Sequence, residues 1–86
     1  MYNLISRYMN KITIDDVNNF AIKKNIILSD AELEFIYVFI KKNWNQILSN
    51  PGSLDIDRYK KKFSEENFLK IKNIINEYYS KYHKFL

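Results

Sequence analysis

The side chains that could carry out chemistry in this chain are few and do not form a group. Its 86 residues include one histidine, His83, and no cysteine. Nucleophilic catalysis needs a serine or cysteine beside a base, usually histidine, and a zinc site needs several histidine or cysteine ligands. Because a base so close to the C-terminal end is poorly held, we expect His83 to be a solvated surface side chain.

Two carboxylates, Asp15 and Asp16, could be proposed as a catalytic pair because they are adjacent in sequence. Neighbouring residues of a helix point about 100° apart, and both acids fall in the first turn of a predicted helix, where they complement its dipole. The single glycine of the chain cannot build a phosphate-binding loop. The sequence therefore predicts that the protein is not an enzyme and has no catalytic, cofactor-binding or metal-binding residues.

A run of basic and aromatic residues, Arg58-Tyr-Lys-Lys-Lys-Phe63, could bind a nucleic acid. Basic side chains neutralise phosphates, and an aromatic ring can stack on a base. In the alternative interpretation, Tyr59 and Phe63 form a pair on the core face and the bases are solvated. The net charge of +4 can equally reflect the A/T-rich codons of lysine, isoleucine and asparagine. The candidate nucleic-acid-binding residues are Arg58, Lys60, Lys61, Lys62, Lys70 and Lys72.

Helix N-termini are the clearest structural signal in the sequence. Four times, an apolar residue precedes a capping residue, and a second apolar residue follows four positions after the cap, which is typical of a capped helix with a hydrophobic staple. Asp16 and Glu32 also stand at the third helical position, and Glu32 completes a capping box with Ser29. The four sets are Ile12-Thr13…Val17, Leu28-Ser29…Leu33, Leu54-Asp55…Tyr59 and Phe63-Ser64…Phe68.

These caps and the apolar periodicity predict helices over residues 3–11, 14–24, 30–48, 55–62 and 65–84. Asn25 stands where a left-handed residue would end the second helix, and Pro51 with Gly52 would stop the third. The third helix is apolar most of the way round, so we expect neighbours on most of its sides. The prediction is an all-α orthogonal bundle of four to five helices around this central helix, about residues 30–48, in a single domain over residues 1–86.

The chain carries no predicted membrane or targeting segment. A membrane-spanning helix needs about 20 consecutive apolar residues, and the longest apolar run here is Phe35–Ile40. The lack of cysteine is compatible with a reducing compartment. We therefore expect a cytoplasmic protein that does not bind a membrane.

Aromatic residues make up 16% of the chain, which is more than a small core is expected to enclose. Aromatic side chains are enriched at protein interfaces, and the last helix has a wide apolar stripe that begins with Phe68, Ile71 and Ile75. These features favour a small non-enzymatic module for protein–protein interaction or self-association, with a protein partner or a homodimer. Scattered, partly buried rings are the plain alternative. Weak electrostatic nucleic-acid binding through the basic C-terminal third is the other candidate function.

Residues 12–36 resemble the YqfT-like family, which comprises small proteins of low-G+C Gram-positive bacteria. The resemblance lies in Ile12-Thr13 opening a helix, Asn25-Ile26 closing it and Leu28-Ser29 opening the next. Residues 41–46 depart from the family pattern, which has a glycine in a basic turn near this point. The resemblance implies a cytoplasmic, all-helical bacterial protein with nothing catalytic, and it supplies no functional residues.

Overall fold

The computed structural model describes residues 2–49 and 55–82, and these ranges contain five helices and no strand. The predicted all-α class and the number of helices are confirmed. We name the four α-helices α1 to α4 and the 3₁₀ helix η1. They are α1 (Tyr2–Lys11), α2 (Ile14–Lys23), α3 (Asp30–Ser49), η1 (Ile56–Lys62) and α4 (Glu65–Tyr82).

The predicted helix limits agree with the observed ones to within a residue wherever both can be compared. The fourth element is a 3₁₀ helix, where the sequence indicated one or two helical turns without specifying the type. Pro51 and Gly52, which were expected to stop the third helix, lie outside the described residues, as do His83 and Lys84.

Capping boxes begin both α2 and α3, where the sequence predicted a cap at Thr13 and a full box only at Ser29. The Thr13 hydroxyl accepts a hydrogen bond from the Asp16 N–H at 3.1 Å, and the Asp16 carboxylate accepts one from the Thr13 N–H at 2.9 Å. Ser29 and Glu32 make the equivalent pair, with distances of 3.2 and 2.8 Å. Each cap is typically worth about 1 kcal/mol, so the two boxes fix where these helices start.

The third and fourth predicted caps have opposite outcomes. The Ser64 hydroxyl accepts a hydrogen bond from the Asn67 N–H at 3.1 Å and caps α4. The prediction for Asp55 is wrong, because its side chain makes no capping hydrogen bond. Instead, its main-chain carbonyl accepts the first i→i+3 bond of η1, from the Arg58 N–H at 3.3 Å. Leu54, the first residue of that predicted staple, lies outside the described residues.

A left-handed residue ends α2, as the sequence predicted. Asn25 has φ of 62°, the Ile26 N–H donates to the Ala21 carbonyl at 2.9 Å, and the Asn25 N–H donates to the Ile22 carbonyl at 3.0 Å. This pair of bonds is the Schellman motif, which usually brings an apolar contact with it. Ala21 and Ile26 are both buried, so the turn also contributes to the core.

Contacts between residues divide the chain into two units, one up to Trp44 and one from Asn45 onwards. In the first unit the buried apolar residues are Val17, Ala21 and Ile26, which belong to α2 and the turn after it. In the second unit Phe68 of α4 is buried, and η1 packs against α4. The boundary between the units lies within α3.

Most of the described apolar side chains of α3 are half-buried, and Val38 is 41% exposed. We expected this helix to be covered on most sides, and that part of the prediction is wrong for the side of Val38. A chain of this size has too little material to enclose one helix all round. No helix within residues 2–49 and 55–82 has the length and hydropathy that crossing a bilayer requires.

Candidate interaction surface

Asp15 and Asp16, considered from the sequence as a possible catalytic pair, lie in the first turn of α2. Asp16 is part of the capping box with Thr13, and Asp15 is exposed beside it. Among the described residues, no three histidine or acidic side chains are grouped so that they could hold a metal ion.

An open apolar groove lies between the start of α2 and one face of α3. Its volume is about 650 Å³. Ile14 and Val38, which are 38% and 41% exposed, belong to its wall. Leu33 and Tyr37 are half-buried in it. The full lining comprises Thr13, Ile14, Asp30, Leu33, Glu34, Tyr37 and Val38.

The α3 side of the groove is a single helical stripe. Its residues stand at positions 30, 33, 34, 37 and 38, which is the i, i+3, i+4, i+7, i+8 spacing of one helix face. Local structure therefore places these five side chains side by side. The groove is open to solvent along this face, so it suits an elongated occupant better than an enclosed small molecule.

Two carboxylates, Asp30 and Glu34, give the groove an acidic edge. Both are exposed, and neither side chain makes an ion pair or a hydrogen bond within the described ranges. They are one turn apart on α3, and like charges at this spacing destabilise a helix by about 0.2–0.5 kcal/mol. None of the described residues that line the groove is basic. A cation brought by an occupant would relieve this repulsion.

Lys41 connects α3 to the end of α1. Its ammonium donates hydrogen bonds to the main-chain carbonyls of Met9 and Asn10, at 3.3 and 3.0 Å. A lysine at the end of its own helix would complement that helix's dipole. Lys41 lies in the middle of α3 instead and satisfies the carboxyl end of a different helix, α1.

The predicted nucleic-acid-binding residues fall into two groups. Arg58, Lys60, Lys61 and Lys62 are exposed on η1. Lys70 and Lys72 instead form ion pairs with acidic side chains: Lys70 with Glu66 at 3.5 Å and Lys72 with Asp57 at 2.9 Å. Tyr59 and Phe63 are half-buried, as the core-face interpretation expected.

Among the residues whose side chains the structure describes, most of the exposed large apolar ones lie in the first unit, and most are aliphatic. Ile27, at 85% exposed, is the most accessible of those described. Leu69 belongs to the second unit. The described large apolar residues in this class are Tyr8, Ile14, Phe20, Ile22, Ile27, Val38 and Leu69. Five of the seven are aliphatic, although the aromatic content had motivated the interface prediction.

Several aromatic rings are covered by residues one turn further along the same helix. Phe35 stacks on Phe39 with ring centroids 6.0 Å apart. The ammonium of Lys24 lies 5.8 Å from the centroid of Phe20, and that of Lys72 lies 5.9 Å from Phe68. Such cation–π contacts are worth about 0.5–1 kcal/mol at exposed sites. The excess of rings is thus partly used within helices.

Sequence reasoning missed the groove, although its residues carried a signal. Val38 belongs to the helix that we expected from the sequence to be covered on most sides. The stripe at 30, 33, 34, 37 and 38 combines apolar and acidic residues on one face, which is typical of a solvent-facing binding surface. What the sequence could not indicate was that Ile14 of α2 would form the opposite wall.

Comparisons of the chain with protein-family models, curated proteins and solved structures find no significant match. The resemblance of residues 12–36 to the YqfT-like family stays a prediction from their caps and apolar spacing.

Proposed function

We propose that the protein is a small non-enzymatic interaction module whose groove binds a helical segment of a protein partner, a second copy of the chain included. The observation that carries this proposal is that Ile14 and Val38, from two different helices, are both exposed and line the same groove. Single exposed apolar residues are ordinary on a protein surface, so the support lies in two of them facing one groove with an acidic edge.

The shape and chemistry of the groove suit a helix. In helix-in-groove recognition, an amphipathic helix lays its apolar side chains into a hydrophobic groove. Here Leu33 and Tyr37 offer half-buried apolar surface, and Ile14 with Val38 offers surface that water still reaches. Burying apolar area stabilises a complex by about 25 cal/mol per Å² before the costs of association. The acidic edge favours a helix with basic residues.

The described surface of η1 gives less support to nucleic-acid binding. Two of the six candidate bases, Lys70 and Lys72, are paired with carboxylates. The two rings of the basic run are half-buried, so they offer limited surface for stacking on a base. The sequence and the family resemblance are the only support for a cytoplasmic location and a bacterial source.

Photo-crosslinking tests the proposal in the cell that makes the protein. A benzophenone amino acid replaces Val38 in the groove or, as the matched control, Asn19, an exposed residue of α2. Asn19 points about 140° away from Ile14 around that helix. We expect discrete protein adducts from position 38 and none from position 19. Absence of adducts at position 38, or the same adducts at both positions, would contradict a binding groove.

A further inference from the structure

We infer that the segment bound in the groove is η1 of a second copy of this chain, so that the protein associates head to tail. The inference rests on the proposed function and names the occupant of its groove. The acidic edge of one copy, Asp30 and Glu34, meets the exposed Arg58 and Lys61 of the next.

The two acids and the two bases have the same spacing along their helices. Asp30 and Glu34 are four residues apart in an α-helix, which corresponds to a rise of about 6 Å. Arg58 and Lys61 are three residues apart in a 3₁₀ helix, again a rise of about 6 Å, and side chains at that interval eclipse one another. Both charge pairs can therefore form at the same time.

All four charged side chains are available for an intermolecular contact. Each is exposed, and none makes a side-chain ion pair or hydrogen bond within residues 2–49 and 55–82. Asp57, the acid that directly precedes Arg58 on η1, is instead engaged by Lys72 at 2.9 Å. Its charge is thus partly compensated, so η1 presents a basic face.

An exposed apolar side chain accompanies this basic face. Leu69 is 55% exposed and lies three residues before Lys72 on the same side of α4. The ammonium of Lys72 binds Asp57 of η1, so Leu69 lies within one turn of a residue that contacts η1. It supplies an apolar group for the groove, where Ile14 and Val38 are exposed. Apolar contact and charge complementarity then act together, as in protein interfaces generally.

The groove and the basic face are different surfaces, so the contact between two copies is heterologous. Each copy offers one groove and one basic face. Heterologous contacts close into a ring or continue into an open chain. Association is therefore expected to go beyond a dimer as the concentration rises, and to weaken with added salt because exposed charges are screened.

Charge-reversal variants test the inference by sedimentation velocity and light scattering over a range of protein concentrations. The groove variant carries Asp30→Asn with Glu34→Lys, and the basic variant carries Arg58→Glu with Lys61→Glu. We expect each variant alone to associate at least about tenfold more weakly than the wild type, because like charges now meet. A 1:1 mixture should regain association, because the intact basic face of the groove variant meets the intact groove of the basic variant, and the two reversed surfaces carry opposite charges.

Matched controls separate the contact from changes in net charge and folding. Lys60→Glu with Lys62→Glu alters the net charge by the same amount on other sides of η1, and should weaken association less than the basic variant. Far-UV circular dichroism checks that every variant folds. Arg58→Gln with Lys61→Gln removes the charges without reversing them, and should give an intermediate loss.

Three results would overturn the inference: a wild type that stays monomeric, a discrete dimer unaffected by charge reversal, or a mixture that does not recover. If the wild type is monomeric while position 38 still crosslinks to another protein, the inference that a second copy fills the groove is wrong and the proposed function stands. If the crosslink is also absent, both fail. Binding of a labelled single-stranded RNA by a monomeric wild type, lost in the basic variant, would assign η1 to nucleic acid instead.

Discussion

The side-chain ammonium of Lys41 donates a 3.0 Å hydrogen bond to the main-chain carbonyl of Asn10, 31 residues earlier in the chain. A second bond, of 3.3 Å, reaches the carbonyl of Met9. The last carbonyls of a helix lack partners within it and carry the negative end of its dipole. Lys41 therefore caps α1 from a distance. It follows Val38 of the groove by three residues, so this contact lies one turn of α3 away from the groove.

We expect Lys41→Gln to lower the free energy of unfolding by about 1 kcal/mol, because hydrogen bonds from charged donors are stronger than those from neutral ones. The loss is not larger because the Lys41 side chain is only half-buried. Chemical denaturation measures the loss, and hydrogen exchange should show faster opening at the end of α1. Lys42→Gln removes the same charge from the neighbouring exposed position and should leave stability nearly unchanged. Equal effects of the two substitutions would contradict the capping role.

A second prediction concerns the positive φ of Asn25. At a φ of 62°, a residue with a Cβ other than asparagine or aspartate pays about 1–2 kcal/mol, and glycine pays nothing for the steric clash. Asn25→Ala should therefore lower the thermal midpoint, whereas Asn25→Gly should keep or raise it. Thermal unfolding followed by circular dichroism gives both values. A glycine variant as unstable as the alanine one would show that the Asn25 side chain matters more than its backbone.

A third prediction compares Ser64, which caps α4, with Asp55, whose side chain does not cap η1. Ser64→Ala removes the acceptor for the Asn67 N–H and should cost about 1 kcal/mol. Asp55→Ala should cost clearly less, because the Asp55 side chain makes no capping hydrogen bond. Urea denaturation of both variants measures the difference. A larger loss for Asp55→Ala than for Ser64→Ala would mean that Asp55 caps η1 in solution.

Features that depend on a few neighbouring residues could be predicted from the sequence. The boxes at Thr13 and Ser29 and the left-handed Asn25 were predictable because each involves side chains and main-chain groups within about five positions. Asp55 shows the limit of such reasoning. Its residue type suits a cap, but its backbone, with φ of −97° and ψ of 88°, introduces a 3₁₀ helix whose first bond uses the carbonyl instead.

Features that depend on tertiary neighbours could not be predicted in this way. The periodicity of α3 identifies its apolar faces, but it does not say which face has a neighbour, so Val38 was expected to be buried. The residues around Lys41 in the sequence do not indicate its hydrogen-bond partners, which are 31 and 32 residues away. The groove combines both problems, since it needs Ile14 from α2 opposite the stripe on α3.

The two capping boxes differ in burial, and this difference makes the last prediction. Glu32 is 6% exposed, and its carboxylate accepts the Ser29 N–H at 2.8 Å, whereas Asp16 makes the equivalent bond in an exposed position. Glu32→Ala leaves the part-buried Ser29 N–H without its acceptor. It should lower the free energy of unfolding by about 2 kcal/mol, because an unsatisfied buried donor costs its full desolvation penalty. Asp16→Ala should cost less, since water can replace its carboxylate. Glu32→Gln keeps an acceptor, so in urea denaturation its loss of stability should fall between those of Glu32→Ala and Asp16→Ala. Equal losses for the two alanine variants would contradict a role for burial.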